Sequence, residues 1–327
     1  MTASVVQECT PFVYRVAVPV PLPLRFVNCY LIRGAAGWAV LDTGMRHAPA
    51  EAVWAAALDE LGLGWNRIGT IVVSHYHPDH YGAAGWMQEL TGAPVLMSPE
   101  GIDTVGRLWE IDAPTAAATL ERFFGQHGMP AEALQPITDL IGMQLAQTQP
   151  HPLLTAIDMD APLRLGDVLW RPIESPGHAD GQICLYDETG QVLLAADHVL
   201  PKITPNVSLW PESNPDPLGT YLESLARIAR LPARLVLPGH REPWADLAGR
   251  SAEIASHHDE RLELMARAAG PGRSAYEISA AVFPLAQLSP HQVRFAMAET
   301  LAHLVYLEGR GGLRRLERAG VTLFSAE

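Results

Sequence analysis

Lysine occurs once in 327 residues, at Lys202, and cysteine three times, at Cys9, Cys29 and Cys184. Three scattered cysteines make no disulfide framework, so a reducing cytoplasm is the expected setting. Apolar stretches end at strand length in Gly, Pro or a charge, which excludes a membrane-spanning helix and removes a membrane as an expected partner. Met1 to Gln7 lacks a basic region before an apolar run, so no secretory signal is expected. Gly-x-Ser-x-Gly is missing, and the cysteines have no partner arrangement for covalent catalysis. Repeats and low-complexity tracts are absent too. Positive charge is scarce: 23 basic residues face 36 acidic ones, a net −13 that disfavours unspecific attraction to polyanions. The deficit is uneven. From Arg241 to Glu327 ten arginines meet eleven acidic residues, leaving −1 there and −12 in the remainder. With 48% hydrophobic and 18% charged residues, the chain can bury a full core. Its length suits one large α/β domain plus a small appendage.

What the chain has in quantity is metal-ligand chemistry at one place. His75-Tyr76-His77-Pro78-Asp79-His80 puts four ligand-type side chains within six residues. The apolar run Ile71-Val72-Val73 precedes it, and a helix-like segment from Tyr81 to Thr91 follows. Strand, ligand loop and helix bring imidazoles and a carboxylate together where a sheet ends. These donors suit Zn²⁺ and similar divalent ions. Four ligands so close exceed the needs of one open tetrahedral ion, and the spacing points to two ions side by side.

The cluster carries the HxHxDH signature without substitution, and on it the chain resembles the metallo-β-lactamase-fold superfamily. Five further stretches stand in that family's order: Asn28-Cys29-Tyr30-Leu31-Ile32, Leu41-Asp42-Thr43-Gly44, Ser175-Pro176-Gly177-His178, Leu193-Leu194-Ala195-Ala196-Asp197 and Val236-Leu237-Pro238-Gly239-His240. The resemblance spans about residues 12 to 245. It implies that His75, His77 and His178 bind one metal, that Asp79, His80 and His240 bind a second, and that Asp197 bridges the two. Two divalent ions, expected to be zinc, about 3.5–4 Å apart would ionise a shared water and polarise a scissile carbonyl or phosphoryl oxygen. Asp79 is then the catalytic residue that orients the nucleophile and passes its proton onward. Asp42 either orients a ligand from behind or simply forms the turn before Thr43-Gly44.

Strand-like runs at Phe12–Val18, Asn28–Ile32, Trp38–Leu41, Ile68–Val73 and Val95–Met97 build one half. Leu163–Leu165, Val168–Ile173, Gln182–Tyr186, Val192–Ala195 and Leu235–Leu237 build the other. Ala48–Leu61 and Leu218–Ala229 read as helices on their apolar spacing. The expected fold class is α/β, an αβ/βα sandwich of two mixed sheets with helices outside, over residues 1–245. The surplus at about residues 99–152 holds helical patterns at Ala116–His127 and Ala131–Ala146. These are expected either to pack on the core or to cap the metal mouth, with Trp109, Phe123, Phe124 and Met143 lining an apolar substrate pocket. After Asp197 the Pro-bounded segment His198 to Asn206 must run past the site, which makes His198, Lys202 and Asn206 candidate substrate contacts. Trp210 is expected mainly to pack.

Residues 246–327 change to helices. Asp246–Ala269 is long and amphipathic, with His257-His258 expected to face solvent. Ser274 and Glu277 have capping-box spacing at the start of a helix through Phe283. Another helix starts at Ser289 and ends at Gly309, and a hairpin surrounds Ala319-Gly320. This order resembles the winged-helix appendage of β-lactamase-like-2 hydrolases. Arg294, Arg310, Arg314, Arg315 and Arg318 could touch phosphate, but the charge balance disfavours nucleic acid and favours a structural or homodimer-forming role.

The leading expectation is a dinuclear hydrolase of a small acyl compound: a thioester, ester or lactone, with hydroxyacylglutathione hydrolase-like activity as one member. A metal-dependent ribonuclease or phosphodiesterase is the alternative, and it needs a basic path into the site. An iron-dependent sulfur dioxygenase would leave His80 and His240 idle. The flavin-linked diiron branch carries a glutamate where this chain has His77.

Overall fold

The computed structural model describes residues 4–21 and 23–326, so the first three positions of the Met1 to Gln7 stretch lie outside the described residues. In chain order the first half runs β1 (Val6–Thr10), β2 (Val13–Pro19), β3 (Phe26–Ile32), β4 (Trp38–Leu41), α1 (Ala48–Glu60), β5 (Ile68–Val72), α2 (Pro78–Tyr81), α3 (Ala84–Thr91) and β6 (Val95–Met97). An insertion follows: α4 (Pro99–Leu108), α5 (Ala113–Gln126), α6 (Ala131–Thr138) and α7 (Ile141–Ala146), ending in β7 (Leu154–Ala156). The second half holds β8 (Leu163–Leu165), β9 (Val168–Glu174), β10 (Ile183–Asp187), β11 (Val192–Ala196), α8 (Pro217–Ile228) and β12 (Leu235–Pro238). The tail comprises α9 (Leu247–Ala269), β13 (Arg273–Ser274), α10 (Ala275–Val282), α11 (Pro290–Gly309), β14 (Arg314–Arg318) and β15 (Val321–Ser325).

Strands β1 to β7 form one sheet in sequence order, antiparallel through β4 and parallel from there to β7. The second sheet has the order β12-β11-β10-β9-β8, with β11 and β12 parallel. Central strands such as Ile71-Val72 and Leu193-Leu194-Ala195 are buried on both faces, because each sheet packs on the other and on helices. Between the sheets lie Tyr30, Ile32, Leu41, Trp170, Leu185, Leu194 and Leu237. Outside the first sheet Trp54, Leu58 and Met87 cover Val40 and Ile71. Outside the second, Tyr221, Leu225 and Ile254 cover Leu193 and Val236. This is the αβ/βα sandwich, followed by a helical C-terminal domain whose β13-β15-β14 sheet closes it.

Local signals in the sequence account for most boundaries. The Ser274/Glu277 and Ser289/Gln292 capping boxes both form, and Asp246 caps α9. Three expectations change. The helix anticipated from Tyr81 to Thr91 is two helices, because the turn at Thr43-Gly44 takes up the backbone groups between them. Thr43 N–H donates to the His80 carbonyl and Ala83 N–H to the Gly44 carbonyl, both at 2.9 Å. The single helix anticipated over 131–146 splits into α6 and α7. Pro136 lies inside α6 and lacks an N–H, and the chain breaks at Asp139-Leu140. The edge strands β1 and β7 were not anticipated.

The largest departure concerns the insertion. Phe124, Met129, Leu134 and Ile137 share one core with Met265, Ile278, Met297, Leu301, Leu304 and Phe324 of the C-terminal domain. Phe124 is fully buried there and lines no substrate pocket, because α5 docks on α9, α11 and β15. Phe123 packs half-buried against Phe124 and the His127 ring. Met143, in α7, is 55% exposed. His258 is also corrected: it is buried, facing His303 at 3.1 Å and the ring of Tyr221, while His257 keeps partial exposure. Its face of α9 packs on α8 and α11, and period-3.6 reasoning on α9 alone did not show that contact. Trp210 packs, in contact with Phe124 and Phe295.

Candidate metal centre

Four loops at one end of the two sheets bring the expected ligands together. His75 and His77 leave β5 and Asp79 and His80 open α2, while His178 follows β9, Asp197 follows β11 and His240 follows β12. Two backbone features aim them. Gly177 sits at φ 119°, where a Cβ would lie 2.3 Å from that of Tyr221, so only glycine lets the His178 loop lie so near α8. Ala196 takes a left-handed φ of 44° directly before Asp197, a strained conformation for alanine. Its carbonyl is held by the Gly239 N–H at 2.7 Å.

Three overlapping groups of ligand atoms each fit within 4.8 Å: His75 with His77 and His178; His75 with His80 and Asp197; and Asp79 with His80 and His240. Asp197 Oδ2 is central, 3.3 Å from His240 Nε2, 3.4 Å from His80 Nε2 and 3.8 Å from His178 Nε2. Asp79 Oδ2 lies 3.2 Å from His240 Nε2, and His75 Nε2 is 3.0 Å from His77 Nδ1.

The imidazoles are oriented from behind. Nδ1 of His178 donates to the Asn206 carbonyl at 2.7 Å, and Nδ1 of His240 to the Phe26 carbonyl at 2.8 Å. His80 Nδ1 donates to Asp42 Oδ2 at 2.8 Å. Asp42 also accepts from Ser74 N–H and Ser74 Oγ at 2.7 and 2.8 Å, and Ser74 Oγ meets His75 Nδ1 at 2.9 Å. Carbonyl and carboxylate acceptors fix the protonated nitrogen of each ring, so Nε2 keeps its lone pair toward the cluster. Nε2 of His80, His178 and His240 and Oδ1 of Asp197 are buried without a hydrogen-bond partner among the described residues. Aligned, desolvated lone pairs with no donor to meet are what divalent ions require, and the residues fit such ions.

Electrostatics agree. Burial pushes His75, His77 and His178 down, His77 to about 3, so these rings stay neutral. Burial opposes charge on His80 and His240 as well. There Asp197 with Asp79, and Asp42 for His80, outweigh it and raise both rings, His240 to about 10. Burial likewise works against charge on Asp79 and Asp197, yet the imidazoles around them hold both carboxyls well below the usual range. The carboxylate charge that raises these two rings is charge that a bound cation would balance.

The other candidates are less uniform. Trp109 is half-buried at the end of α4 and donates Nε1–H to the Tyr76 carbonyl, between two ligands. His198 is buried beneath Ser224 and Tyr221, burial lowers its pKa to about 3, and it reaches no open surface. The Asn206 side chain donates to Glu299 of α11 and accepts from Ser208, so its task is to hold the carbonyl behind His178. Lys202 is exposed, with φ 66°. Ser74, Phe26 and Glu299 carry supporting roles that the sequence did not single out. Ser74 stands next to the motif and could have been suspected; Glu299, 93 positions from Asn206, offered no signal.

The site's class is therefore a histidine–aspartate metal centre on an αβ/βα sandwich, and the chain belongs to the Metallo-beta-lactamase superfamily, whose profile matches residues 22–240. The profile "Metallo-beta-lactamase-like, C-terminal domain" matches residues 262–327. The chain is similar to the probable metallo-hydrolase YqjP of Bacillus subtilis, 24% identical over 315 residues that cover 91% of this chain and 93% of that one. Among solved structures it resembles the metallo-beta-lactamase family protein TTHA1429 of Thermus thermophilus, at 34% identity and TM-score 0.87, covering 98% and 100% of the two chains. A beta-lactamase domain protein from Burkholderia ambifaria superposes with TM-score 0.86 at 29% identity, covering 98% of this chain and 94% of that one. The protein is a hydrolase of this superfamily, with a His/Asp cluster suited to divalent metal. Among the described residues no helix is long and apolar enough to cross a membrane.

Proposed function

We propose that this hydrolase holds two divalent ions, zinc first among them, and cleaves a small acyl compound: a thioester, ester or lactone. The observation that carries the reading is the pair of ligand groups, His75/His77/His178 and Asp79/His80/His240, sharing Asp197 at their centre. Bound divalent cations supply Lewis acidity that ionises water near neutral pH and polarises a carbonyl oxygen. The chain's own groups do the rest. Asp79, ionised and partly open to the mouth, accepts a hydrogen bond from the attacking water and hands its proton toward the leaving group. Asp42, Ser74, Asn206 and Phe26 keep four imidazoles in one tautomer. The Trp109 indole and the Tyr76 ring, 6.4 Å apart, wall the His77 side of the mouth and limit water there.

Acyl substrates are favoured over RNA because the chain outside the tail carries −12, and a polyanion would need a basic path to the ions. The test is metal content by mass spectrometry on untagged protein, followed by a panel of thioesters, lactones, β-lactams and a bis-aryl phosphodiester. About two zincs per chain with acyl turnover is expected. Turnover of the phosphodiester alone would reverse the substrate assignment, and one iron with oxygen uptake would replace hydrolysis by sulfur oxidation.

A further inference from the structure

One half-buried guanidinium makes no ion pair among the described residues. Arg294, in the second turn of α11, is half-buried between Trp210 and Phe295, its guanidinium carbon 5.2 Å from each ring centroid. Nη1 donates to Gln144 Oε1 of α7 at 2.8 Å. Nε is buried with no acceptor among the described residues, and no carboxylate lies within ion-pair distance. Arg15, Arg46, Arg171, Arg250, Arg310 and Arg315, by contrast, each touch an acid. Burial lowers Arg294 to about 10, with only Tyr76 acting the other way. A half-buried charge left unpaired is costly, so a fold that retains one gains on receiving an anion.

Its helix is tied to the metal centre, because Glu299 of α11 accepts from the Asn206 side chain and the Asn206 carbonyl accepts from His178. Arg294, together with Arg107 of α4, acts electrostatically on Tyr76, which stands between His75 and His77 with its ring 4.8 Å from that of His77. His291, one turn earlier on α11, senses the charge of Asp79. The strut Gln144 belongs to α7, and the carbonyl of Gln147 just beyond it lies where a Cβ on Gly82, two residues after His80, would meet it at 2.6 Å. The C-terminal domain and the insertion thus hold this guanidinium jointly.

We propose that Arg294 anchors a carboxylate of the substrate, so the compound cleaved is an acyl derivative bearing one negative charge away from the scissile bond. The proposal rests on the hydrolase reading above for the word substrate, though not for the anion. A single guanidinium whose Nη2 has no partner among the described residues matches one unit charge. A nucleic acid or a polyphosphate would need several free cations; of the two guanidinium groups that act on Tyr76, Arg107 also acts on the Asp180 carboxylate, which leaves Arg294.

The test compares wild type with Arg294→Met and Arg294→Lys, each loaded with metal and shown to retain its metal content and melting temperature. The kcat/KM ratio of mono-4-nitrophenyl glutarate to 4-nitrophenyl butyrate is measured for all three. That ratio is expected to fall at least 30-fold in Arg294→Met, mainly through KM, and to recover partly in Arg294→Lys. Calorimetry with monomethyl glutarate and with methyl phosphate gives a readout free of turnover. Monomethyl glutarate should bind at least tenfold more weakly to Arg294→Met than to wild type, and more tightly than methyl phosphate to wild type. An unchanged ratio, or equal binding by wild type and variant, overturns the proposal, and tighter methyl phosphate binding overturns its carboxylate part. If neither ester is turned over, the acyl-hydrolase reading fails for esters, while the calorimetric comparison still decides the role of Arg294. Should Arg294→Met fail to fold, Arg294→Lys carries both readouts.

Discussion

Replacing Asp42 by Asn probes the preset tautomers most directly. Asp42 is buried and sits at φ 60°, a left-handed conformation that Asn also tolerates, so the backbone has no reason to move. Its carboxylate accepts from the Ser74 N–H, from Ser74 Oγ and from His80 Nδ1. Asn can keep its oxygen on the Ser74 N–H, but its amide nitrogen then faces His80 Nδ1. Two donors cannot share that contact, so His80 must give up its Nδ1 proton and be left with its hydrogen on Nε2, turned toward Asp79 and Asp197. Hydrogen bonds to a charged group are worth about 1.5–3 kcal/mol each, and two of the three are lost or inverted. A stability loss of about 3 kcal/mol follows, with metal affinity reduced about 10- to 100-fold. The affinity loss should fall on the ion held by Asp79, His80 and His240. The assay is zinc stoichiometry against a competing chelator, alongside urea unfolding of metal-free protein. Two ions bound by Asp42→Asn with wild-type affinity would refute the tautomer argument.

Four other outcomes are expected. In Gly239→Ala the new Cβ would lie 2.1 Å from Asp197 Oδ1 and 2.8 Å from His80 Cε1, so metal binding should fail while far-UV circular dichroism stays native. Glu299→Ala frees the Asn206 side chain and loosens the carbonyl behind His178; chelator competition should show about tenfold weaker binding of one ion. Phe124→Ala should cost about 3–5 kcal/mol in urea unfolding, because the ring is fully enclosed between the insertion and the C-terminal helices. Burial lowers His258 to about 3 and His303 to about 4. Folded values below the unfolded value near 6.5 mean that the unfolded chain binds more protons below that pH. Their contribution is therefore complete above pH 6.5 and is lost as pH falls from there toward 4, by about 1.4 kcal/mol per pH unit for each group. In His258→Phe, which keeps a ring against Tyr221, the stability slope between pH 6.5 and 5 should shrink by roughly that amount; an unchanged slope would show that the pair is protonated in the fold.

The chain order of the motifs made the sandwich legible, because strands buried on both faces read as unbroken apolar runs and each ligand follows one of them. The capping boxes at Ser274 and Ser289 fixed two helix starts for an equally local reason: the donor and acceptor lie three residues apart. Pro136 and the turn at Thr43-Gly44 show where local reading falls short. Both helices look continuous on apolar spacing; the first is interrupted by hydrogen bonds to Thr43 and Gly44, far back in the chain, and the second ends at Thr138, two residues after Pro136. Phe124 and His258 were misread for a related reason. Their burial depends on which helix faces which, and an amphipathic pattern names a face without naming its partner.

Residue identity and spacing alone showed the cluster of four ligand-type side chains at His75–His80 and the class of chemistry, since donor type and local distance are properties of short stretches; the resemblance to a known family supplied the outlying ligands and their division into two groups. Tertiary structure decided what stands behind and around those ligands: the Asp42–His80 contact, the link from Asn206 to Glu299, and the guanidinium of Arg294 beside Tyr76. The first two join residues 38 and 93 positions apart, and the third reaches across most of the chain. No local pattern records a pairing that only packing creates.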